Sequence, residues 1–307
     1  MADSDSMHVA VTGATGLVGS AWCAHARAAR VRVTRLVRGA PTQPGDVRWN
    51  PQGEWDASTL EGVDAVVHLA GASIVAGRWN EERKRVIRAS RIEGTRHLCA
   101  ALARLARPPR VVVCASGVGY YGNSAAKGLD ESASPGSGFL AELVVEWERE
   151  ASAAASFGAR VVELRIGVVL SRRGGVLAAM RLPFLLGLGG PVGSGAQGFN
   201  WIHIDDLVAV IDWAVRHESL SGPVNAVAPH LISQREFAQA LGAALRRPSF
   251  VPLPAWFVRL AFGEMGTELL LSGQWAAPAA LVRDGFAFAS SSVERALSAE
   301  YGGSHAR

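Results

Sequence analysis

The sequence lacks the cysteine patterns of disulfide frameworks and of zinc sites. Its three cysteines, Cys23, Cys99 and Cys114, are odd in number, far apart and outside any CxxC or Cys/His spacing. We therefore expect reduced, mostly buried thiols in a cytoplasmic protein. The first residues, MADSDSM, are polar and acidic, which indicates that the chain carries no signal peptide.

Long hydrophobic runs and strongly one-sided charge are also missing. The most apolar stretch, residues 176–195, is interrupted by Arg181, by two prolines and by several glycines, so it excludes an unbroken membrane-spanning helix. The formal net charge of +4 is modest and contains no long Lys/Arg run, which argues against a nucleic-acid partner. No His/Asp/Glu cluster has metal-ligand spacing, and no Gly-x-Ser-x-Gly elbow occurs. These absences favour a soluble protein with a small-molecule substrate, no metal and no membrane span.

What the sequence does contain is an alternation of short apolar runs and helical segments. The apolar runs are HVAVT (8–12), VRVTRLV (31–37), VDAVVHLA (63–70), RVVVCAS (110–116) and RVVELRIG (160–167). Helical candidates lie between them near 17–29, 80–106 and 138–157. Near-continuous apolar strands are buried on both faces, as in a parallel sheet. The spacing therefore predicts an α/β fold with a Rossmann doubly wound parallel sheet.

Beyond residue 170 the sequence becomes rich in glycine and then resumes regular elements. Residues 200–215 (NWIHIDDLVAVIDWAV) predict a short strand, an Asp N-cap and a helix. A further strand is predicted at 224–228, before the capping-box spacing of Ser233 and Glu236. We predict two units: an NADP-binding Rossmann domain over 1–170, whose sheet is completed by elements within 200–230, and a small C-terminal substrate-side lobe over 171–307, which includes a domain at 251–300.

The strongest local pattern is TGATGLVG (12–19), directly after the first strand and opening a helix. In such a turn the first glycine permits a sharp bend, the second lets backbone amides approach a pyrophosphate, and the third lets helix and strand pack closely. A lone glycine pattern is weak support, but this one lies in the expected βαβ unit. It predicts dinucleotide contacts from Gly13, Thr15, Gly16, Leu17, Val18 and Gly19.

The choice of dinucleotide is made at the end of the second strand, which reads LVRG (36–39) with no acid until Asp46. An NAD site normally offers a carboxylate there to the ribose hydroxyls. A carboxylate would repel a 2′-phosphate, whereas a guanidinium can bind it with two hydrogen bonds. We predict NADP(H) preference through Arg38, with Val37 beside it. Arg35 is the weaker candidate, and a solvated loop cation is the alternative interpretation of Arg38.

Two further positions are predicted to contact the cofactor. The strand that ends in Leu69, Ala70 and Gly71 has small residues that let the backbone pass close to a ligand, although ordinary strand-end packing would explain them too. Arg91 lies on the helix near 80–106, where it could reach a phosphate or could be one more exposed cation.

The chain resembles a known family from Met7 to Leu297. The residues that carry the resemblance are TGATGLVG, VVHLAGASI, RWNEERKRVIRASRIEGT, SGVGYYG, DESASPGSGFLAELVVEWE, LRIGVVLSRRGGVLAAM, PFLLGLGGPVGSGAQGFNWIHIDDLV, and PVNAVAP through SGQWAAPAALVRDGFAF. They look like the atypical extended short-chain dehydrogenase/reductases of the epimerase family (sugar-nucleotide epimerase-like), whose C-terminal domain of unknown function resembles the segment from Val251. The resemblance implies a Rossmann fold and bound NADP(H), and it adds the region of Val168 as a cofactor contact.

The catalytic residues usual in that family are absent. Extended short-chain dehydrogenases usually carry a Tyr-x-x-x-Lys pair, in which the Lys cation lowers the pKa of the Tyr phenol so that it can transfer a proton. Here Phe139 and Leu143 stand at those two positions, and Gly117 takes the place of the usual hydroxyl. We predict Ser116 and Tyr121 as substitute catalytic residues. A packed Tyr121 with its hydroxyl in water is the alternative.

His203 allows two interpretations, a proton-transfer group beside the cleft or a partly buried hydrogen bonder. Two functions are consistent with the whole sequence. One is an NADP(H)-dependent oxidoreductase or epimerase that acts on a small or nucleotide-linked substrate between the lobes. The glycine-rich loop 187–198, which looks suited to close over a ligand, favours this function. The other is a non-catalytic NADP(H)-binding redox sensor or scaffold, which the missing Tyr/Lys pair favours. The sequence specifies no oligomeric state.

Overall fold

The computed structural model describes residues 7–302. Its strands are β1 (His8–Thr12), β2 (Arg32–Val37), β3 (Asp46–Arg48), β4 (Ala65–His68), β5 (Val111–Gly117), β6 (Lys127–Leu129), β7 (Arg160–Ile166), β8 (Val168–Ser171), β9 (Trp201–His203), β10 (Gly222–Ala226) and β11 (Trp275–Ala276). Its α-helices are α1 (Leu17–Ala28), α2 (Glu81–Leu102), α3 (Phe139–Ser152), α4 (Gly175–Leu185), α5 (Ile204–Arg216), α6 (Gln234–Leu245), α7 (Ala255–Gly266), α8 (Ala279–Arg283) and α9 (Val293–Tyr301).

Seven strands form one parallel sheet in the order β10-β7-β5-β4-β1-β2-β3. The chain thus starts in the middle of the sheet and winds outward in both directions, with helices between most successive strands and a loop between β2 and β3. The predicted Rossmann fold is confirmed. Because all these strands run in the same direction, their carboxyl ends meet at one edge of the sheet, where ligands bind in folds of this kind.

Helices cover both faces of the sheet, which explains why the central strands read as unbroken apolar runs. Val9 of β1 packs in a core cluster with Trp22 of α1 and Ile211 of α5. Its neighbour Ala10 points to the opposite face and packs with Leu98 of α2. Alternate residues of one strand therefore serve two different cores.

Several element boundaries differ from the sequence predictions. The strand predicted at 224–228 lies at Gly222–Ala226, where it pairs with β7 and completes the sheet. The helix predicted near 138–157 ends at Ser152 and continues as a 3-10 turn, and the helix predicted to reach 106 ends at Leu102. Strand β3 was missed because it is short and lies at the sheet edge.

The predicted Asp N-cap of α5 is wrong, because His203 occupies that position. The His203 Nδ1 accepts a hydrogen bond from the backbone amide of Asp205 at 3.3 Å. Asp205 and Asp206 lie in the first turn, where the helix dipole stabilises negatively charged side chains. The carboxylate of Asp206 instead accepts hydrogen bonds from the backbone amides of Ala289 and Ser290, at 2.8 and 2.9 Å. It is therefore held by the C-terminal segment.

Apart from β10 and α5, most elements after β7 lie outside the seven-stranded sheet. Two short parallel pairs, β8 with β9 and β6 with β11, form separate two-stranded sheets. Helices α4, α6 and α9 share an apolar cluster around Phe237. The capping box of Ser233 and Glu236 is present at the start of α6. Between residues 7 and 302, no helix combines the length and apolarity needed to cross a membrane. The boundary at residue 170 stays a prediction.

Candidate functional site

The turn between β1 and α1 is packed so tightly that it requires glycine. Gly13 has a φ of +67°, and a Cβ atom there would lie 2.7 Å from the carbonyl oxygen of Leu69. A Cβ on Gly19 would lie 2.2 Å from the carbonyl oxygen of Gly13. Side chains at these two positions would push the turn away from both the end of β4 and the start of α1.

The N-terminus of α1 has no partner of its own within residues 7–302. Its N-cap is Gly16, no side chain caps it, and its first turn contains no acidic residue. The first amides of an α-helix lack intrahelical acceptors, and the helix dipole adds partial positive charge there. Thr15 and Gly16 are exposed, and Leu17 and Val18 are half-buried. This end of the helix is therefore suited to an anionic group such as a pyrophosphate.

Thr12, which the sequence reasoning missed, fixes the end of β4 beside this turn. Its Oγ1 accepts hydrogen bonds from the backbone amides of Leu69 and Ala70, both at 3.1 Å, and lies 2.7 Å from His68 Nδ1. His68 Nε2 lies 3.0 Å from Thr95 Oγ1. Burial lowers the pKa of His68 to about 4, so its ring is neutral near pH 7. The amides of Leu69 and Ala70 are therefore hydrogen-bonded within the protein. Any ligand contact at these two residues would involve their carbonyl oxygens or side chains.

Arg35, the weaker phosphate candidate, is occupied by an acid. Its Nε and Nη2 donate to Oδ1 and Oδ2 of Asp46, each at 2.7 Å. The backbone amides of Thr42 and Gln43 also donate to Asp46, at 2.9 and 3.0 Å. The hydrogen-bonded Arg35 guanidinium, together with these amides, holds the pKa of Asp46 well below its usual range. Arg35 is thus a structural residue that ties β2 to β3.

Arg38 is exposed just beyond the end of β2, and Val37 before it is half-buried. In the described part of the chain, Arg38 forms no ion pair. The nearest acid along the chain, Asp46, is neutralised by Arg35. A positive charge without a counterion therefore stands where dinucleotide-binding folds read the adenosine ribose.

Arg91 is not the exposed helix cation of the alternative interpretation. It is half-buried, its Nη1 donates to the carbonyl oxygen of Ala72 at 2.9 Å, and its guanidinium carbon lies 5.1 Å from the centroid of the Trp147 ring. A Cβ on Gly71 would lie 3.0 Å from that carbon. Burial, with a smaller contribution from Arg83, lowers the pKa of Arg91 to about 10, so it stays charged at neutral pH. No carboxylate of residues 7–302 pairs with it, which favours an anion nearby.

The two hydroxyl groups predicted to be catalytic belong to one buried network. Ser116 Oγ donates to Glu148 Oε1 at 2.6 Å, and Glu148 accepts two hydrogen bonds from Arg165, both at 2.9 Å. Arg165 Nη1 donates a hydrogen bond to the Tyr121 hydroxyl at 3.0 Å. That hydroxyl in turn donates to Asn225 Oδ1 at 2.8 Å. Tyr121 is only 3% exposed. Its hydroxyl is bonded within the protein and is not in water, which corrects the alternative considered for this residue.

Burial, and not the network, keeps the Tyr121 phenol in its neutral form. Burial raises the pKa of Tyr121, and the hydrogen bond from Arg165 opposes that shift only in part. Arg165 also stacks on Tyr120, with 3.4 Å between the guanidinium carbon and the ring centroid. The sequence reasoning found Ser116 and Tyr121 but missed Arg165. The available signal was the pair of charged residues, Glu163 and Arg165, in the interior of the strand RVVELRI.

Apolar packing replaces the absent Tyr/Lys pair. Phe139 and Leu143 belong to a cluster with Trp79 and with Met265 of α7. The ring centroids of Trp79 and Phe139 are 5.0 Å apart, in an edge-to-face arrangement. These positions therefore offer no group that can transfer a proton.

A carboxylate from the C-terminal segment caps the helix that would carry that pair. Glu268 accepts hydrogen bonds from the backbone amides of Phe139 and Leu140, at 2.9 and 3.0 Å. Gly138, with a φ of +106°, lies so close that a Cβ there would be 2.7 Å from Glu268 Oε1. Glu268 and α3 are more than a hundred residues apart in sequence, so no local pattern could have revealed this contact.

Val168 and His203 both serve internal contacts. The backbone amide of Val168 donates to the carbonyl oxygen of Asn200 at 2.8 Å, so this amide is not free for a cofactor. His203 is 4% exposed, and its Nε2 lies 3.1 Å from Glu300 Oε1. This geometry supports its interpretation as a buried hydrogen bonder. Across residues 7–302, no group of three or more His, Cys, Asp or Glu side chains is arranged to hold a metal.

Known proteins similar to this chain share both its sequence and its fold. The profile of the NAD dependent epimerase/dehydratase family matches residues 9–227, and that of a domain of unknown function (DUF1731) matches residues 253–300. The chain is 46% identical over 290 residues to epimerase family protein Mb2239 of Mycobacterium bovis, covering 94% of this chain and 96% of that protein. It is 40% identical over 295 residues to epimerase family protein SDR39U1 of Homo sapiens, covering 95% and 98%.

Among solved structures, human SDR39U1 (isoform 2) with NADPH superposes with a TM-score of 0.88 at 36% identity, covering 96% of this chain and 99% of that one. A nucleoside-diphosphate sugar epimerase from Corynebacterium glutamicum gives a TM-score of 0.80 at 34% identity, covering 97% of this chain and 58% of that one. These similarities extend over both the Rossmann sheet and the C-terminal segment. The chain therefore belongs to the NAD dependent epimerase/dehydratase family, in the group of epimerase family proteins that resemble SDR39U1.

Proposed function

We propose that this protein is an NADP(H)-dependent oxidoreductase or epimerase-like enzyme that acts on a small or nucleotide-linked substrate at the carboxyl edge of the sheet. The observation that carries the proposal is the positive charge of Arg38, which forms no ion pair among the described residues. The nearest acid along the chain, Asp46, is paired with Arg35. A guanidinium without a counterion suits the 2′-phosphate that distinguishes NADP(H) from NAD(H). The NADPH bound to human SDR39U1 supports this choice.

The residues present fit a dinucleotide. A side chain at Gly13 or Gly19 would clash with neighbouring backbone atoms, so the turn keeps the tight shape that dinucleotide-binding turns have. We infer that the free amides at the start of α1, from Leu17 to Gly19, bind the pyrophosphate, with Thr15 and Gly16 in contact with it. Arg38 and Val37 would hold the adenosine end. Arg91 supplies a second positive charge beside the end of β4, and Gly71 leaves room for its guanidinium there. When bound, the nicotinamide supplies hydride transfer.

Ser116 and Tyr121 stay in the proposal with a changed role. Glu148 and Arg165 connect both hydroxyls, so each can fix the end of β5 against β7 and β10. A neutral phenol whose hydroxyl is already hydrogen-bonded within the protein is a poor proton donor and serves to position its neighbours. We therefore infer that Tyr121 orients the edge on which the substrate lies. The reaction would then suit an activated carbonyl or imine that needs little acid assistance.

A second function, NADP(H) binding without turnover, is favoured by one observation. The positions of the Tyr/Lys pair are filled by Phe139 and Leu143 inside an apolar cluster. A redox sensor or scaffold needs no proton-transfer group, whereas most reductases of this fold use one.

NADPH oxidation over a panel of carbonyl compounds, nucleotide sugars and quinones separates the two functions. Turnover that falls in Tyr121→Phe but not in Tyr301→Phe supports the enzyme, because Tyr301 has no hydrogen-bond partner among the described residues. Tight NADPH binding without turnover on every class supports the sensor or scaffold. Absence of NADPH binding would contradict both.

A further inference from the structure

Six large apolar side chains are exposed on the C-terminal half of the chain, away from the glycine turn in sequence. They are between 62% and 76% exposed, and we call them the apolar patch: Leu182, Leu186, Leu188, Phe250, Trp256 and Leu260. Single exposed apolar residues are normal on a protein surface. A group of this size usually marks a site of interaction with another surface.

Backbone hydrogen bonds hold the two segments of the apolar patch side by side. The amide of Val251 donates to the carbonyl oxygen of Gly189 at 3.1 Å. The amide of Leu253 donates to Pro191, and the amide of Gly193 donates to Leu253, both at 2.9 Å. The loop after α4 thus runs along the segment that leads into α7. These bonds bring Leu188 and Phe250 close together, because each directly precedes a residue of the bonded pair Gly189 and Val251.

The two segments that carry the apolar patch contain arginine and no acidic residue. Arg181, Arg246, Arg247 and Arg259 are exposed, and none of them pairs with an acid within residues 7–302. Residues 172–204 and 237–263 contain no Asp or Glu at all. Arg247 Nε donates to the carbonyl oxygen of Leu185 at 3.0 Å, which places a guanidinium directly beside the leucines. The partner surface should therefore be apolar and negatively charged.

We propose that the apolar patch docks on an anionic lipid bilayer. Exposed Trp, Phe and Leu side chains in segments whose charged residues are arginines have the composition of surfaces that lie in the headgroup region. The arginines would bind lipid phosphates while their stems stay in contact with apolar surface. A second copy of this chain fits less well, because a symmetric contact would place these arginines opposite each other without any acid.

The experiment is sedimentation of the full chain with vesicles of phosphatidylcholine alone or mixed with phosphatidylglycerol. We expect binding to the mixed vesicles only, weakened by salt. Trp256→Ser combined with Leu260→Ser should lower the partition coefficient about tenfold or more. Arg247→Glu and Arg259→Glu should each lower it about fivefold or more. The control is Val282→Ser on α8, where an apolar side chain is 58% exposed outside the apolar patch, and it should bind like the unchanged protein.

Failure to bind the mixed vesicles would overturn the proposal, as would binding that the apolar-patch variants leave unchanged. Sedimentation velocity provides a further test. A dimer that dissociates in Trp256→Ser would show that the apolar patch is an interface between copies and would also overturn the proposal. Thermal melting verifies that each variant is folded, without reference to cofactor binding, so this test is independent of the proposed function.

Discussion

Arg35 and Asp46 form a two-point ion pair, with two nitrogen–oxygen distances of 2.7 Å between β2 and β3. This pair removes the acid that could otherwise approach the end of β2. Three residues after Arg35, Arg38 is left exposed and unpaired among the described residues. Both arginines come from one short segment, yet one is structural and the other is available to a ligand.

Replacing Arg38 should change the cofactor preference. In Arg38→Asp we expect NADPH affinity to fall about 10- to 100-fold, because charge-assisted hydrogen bonds are lost and a like charge is introduced. NADH affinity should stay level or rise. Titration calorimetry with both dinucleotides measures the ratio. Arg32→Asp, an exposed arginine at the opposite end of β2, is the control and should keep the original preference.

Replacing Gly19 should disrupt the phosphate turn. The Cβ atom of Gly19→Ala would lie 2.2 Å from the carbonyl oxygen of Gly13, so the turn must move away from the helix start. We expect dinucleotide affinity to fall about tenfold or more and the melting temperature to drop. Gly39→Ala is the matched control, since a Cβ there meets no atom within 4 Å. Equal affinities of the two variants would contradict the tight-turn interpretation.

Buried His68 should make the fold sensitive to acid. Its folded-state pKa is lowered from 6.5 to about 4 by burial, so the unfolded chain binds the proton more readily. Stability from this residue is complete above about pH 6.5 and is lost as the pH falls toward about 4, by about 3 kcal/mol at most. Urea unfolding across this range measures the slope. His68→Gln should be less stable at neutral pH and should show a shallower slope, and an unchanged slope would exclude His68 as its source.

Glu268 should stabilise the contact between the C-terminal segment and α3. Glu268→Ala removes the acceptor of two helix amides, and we expect a loss of about 1 to 2 kcal/mol in the free energy of unfolding. Glu264→Ala is the control, because its partly exposed carboxylate forms its one ion pair among residues 7–302 with Lys84, and such a pair contributes about 0 to 1 kcal/mol. Chemical denaturation compares them, and a smaller effect at Glu268 than at Glu264 would argue against the cap.

The sheet and the glycine turn were predictable because their determinants are local. Apolar runs such as HVAVT specify buried strands, and TGATGLVG specifies its own backbone shape by sterics. Helix ends were less predictable. His203 occupies the N-cap position of α5, and the Asp206 carboxylate is held by Ala289 and Ser290, which are distant in sequence.

The chemistry at the end of β5 was only partly predictable for the same reason. Ser116 and Tyr121 stand out near the absent pair, but the bonds that occupy them come from Glu148, Arg165 and Asn225 on three other elements. Arg91 was ambiguous because its burial depends on Gly71 and Trp147, which only the fold brings to it. Sequence patterns thus selected the candidate residues, and tertiary contacts determined which of their polar groups are already hydrogen-bonded within the protein.

The most direct test of the account is titration calorimetry of the unchanged protein with NADPH and, separately, with NADH at equal ionic strength. We predict that NADPH binds at least about tenfold more tightly, since the free guanidinium of Arg38 meets a phosphate that NADH lacks. Equal affinities, tighter NADH binding, or no heat of binding with either dinucleotide would contradict it.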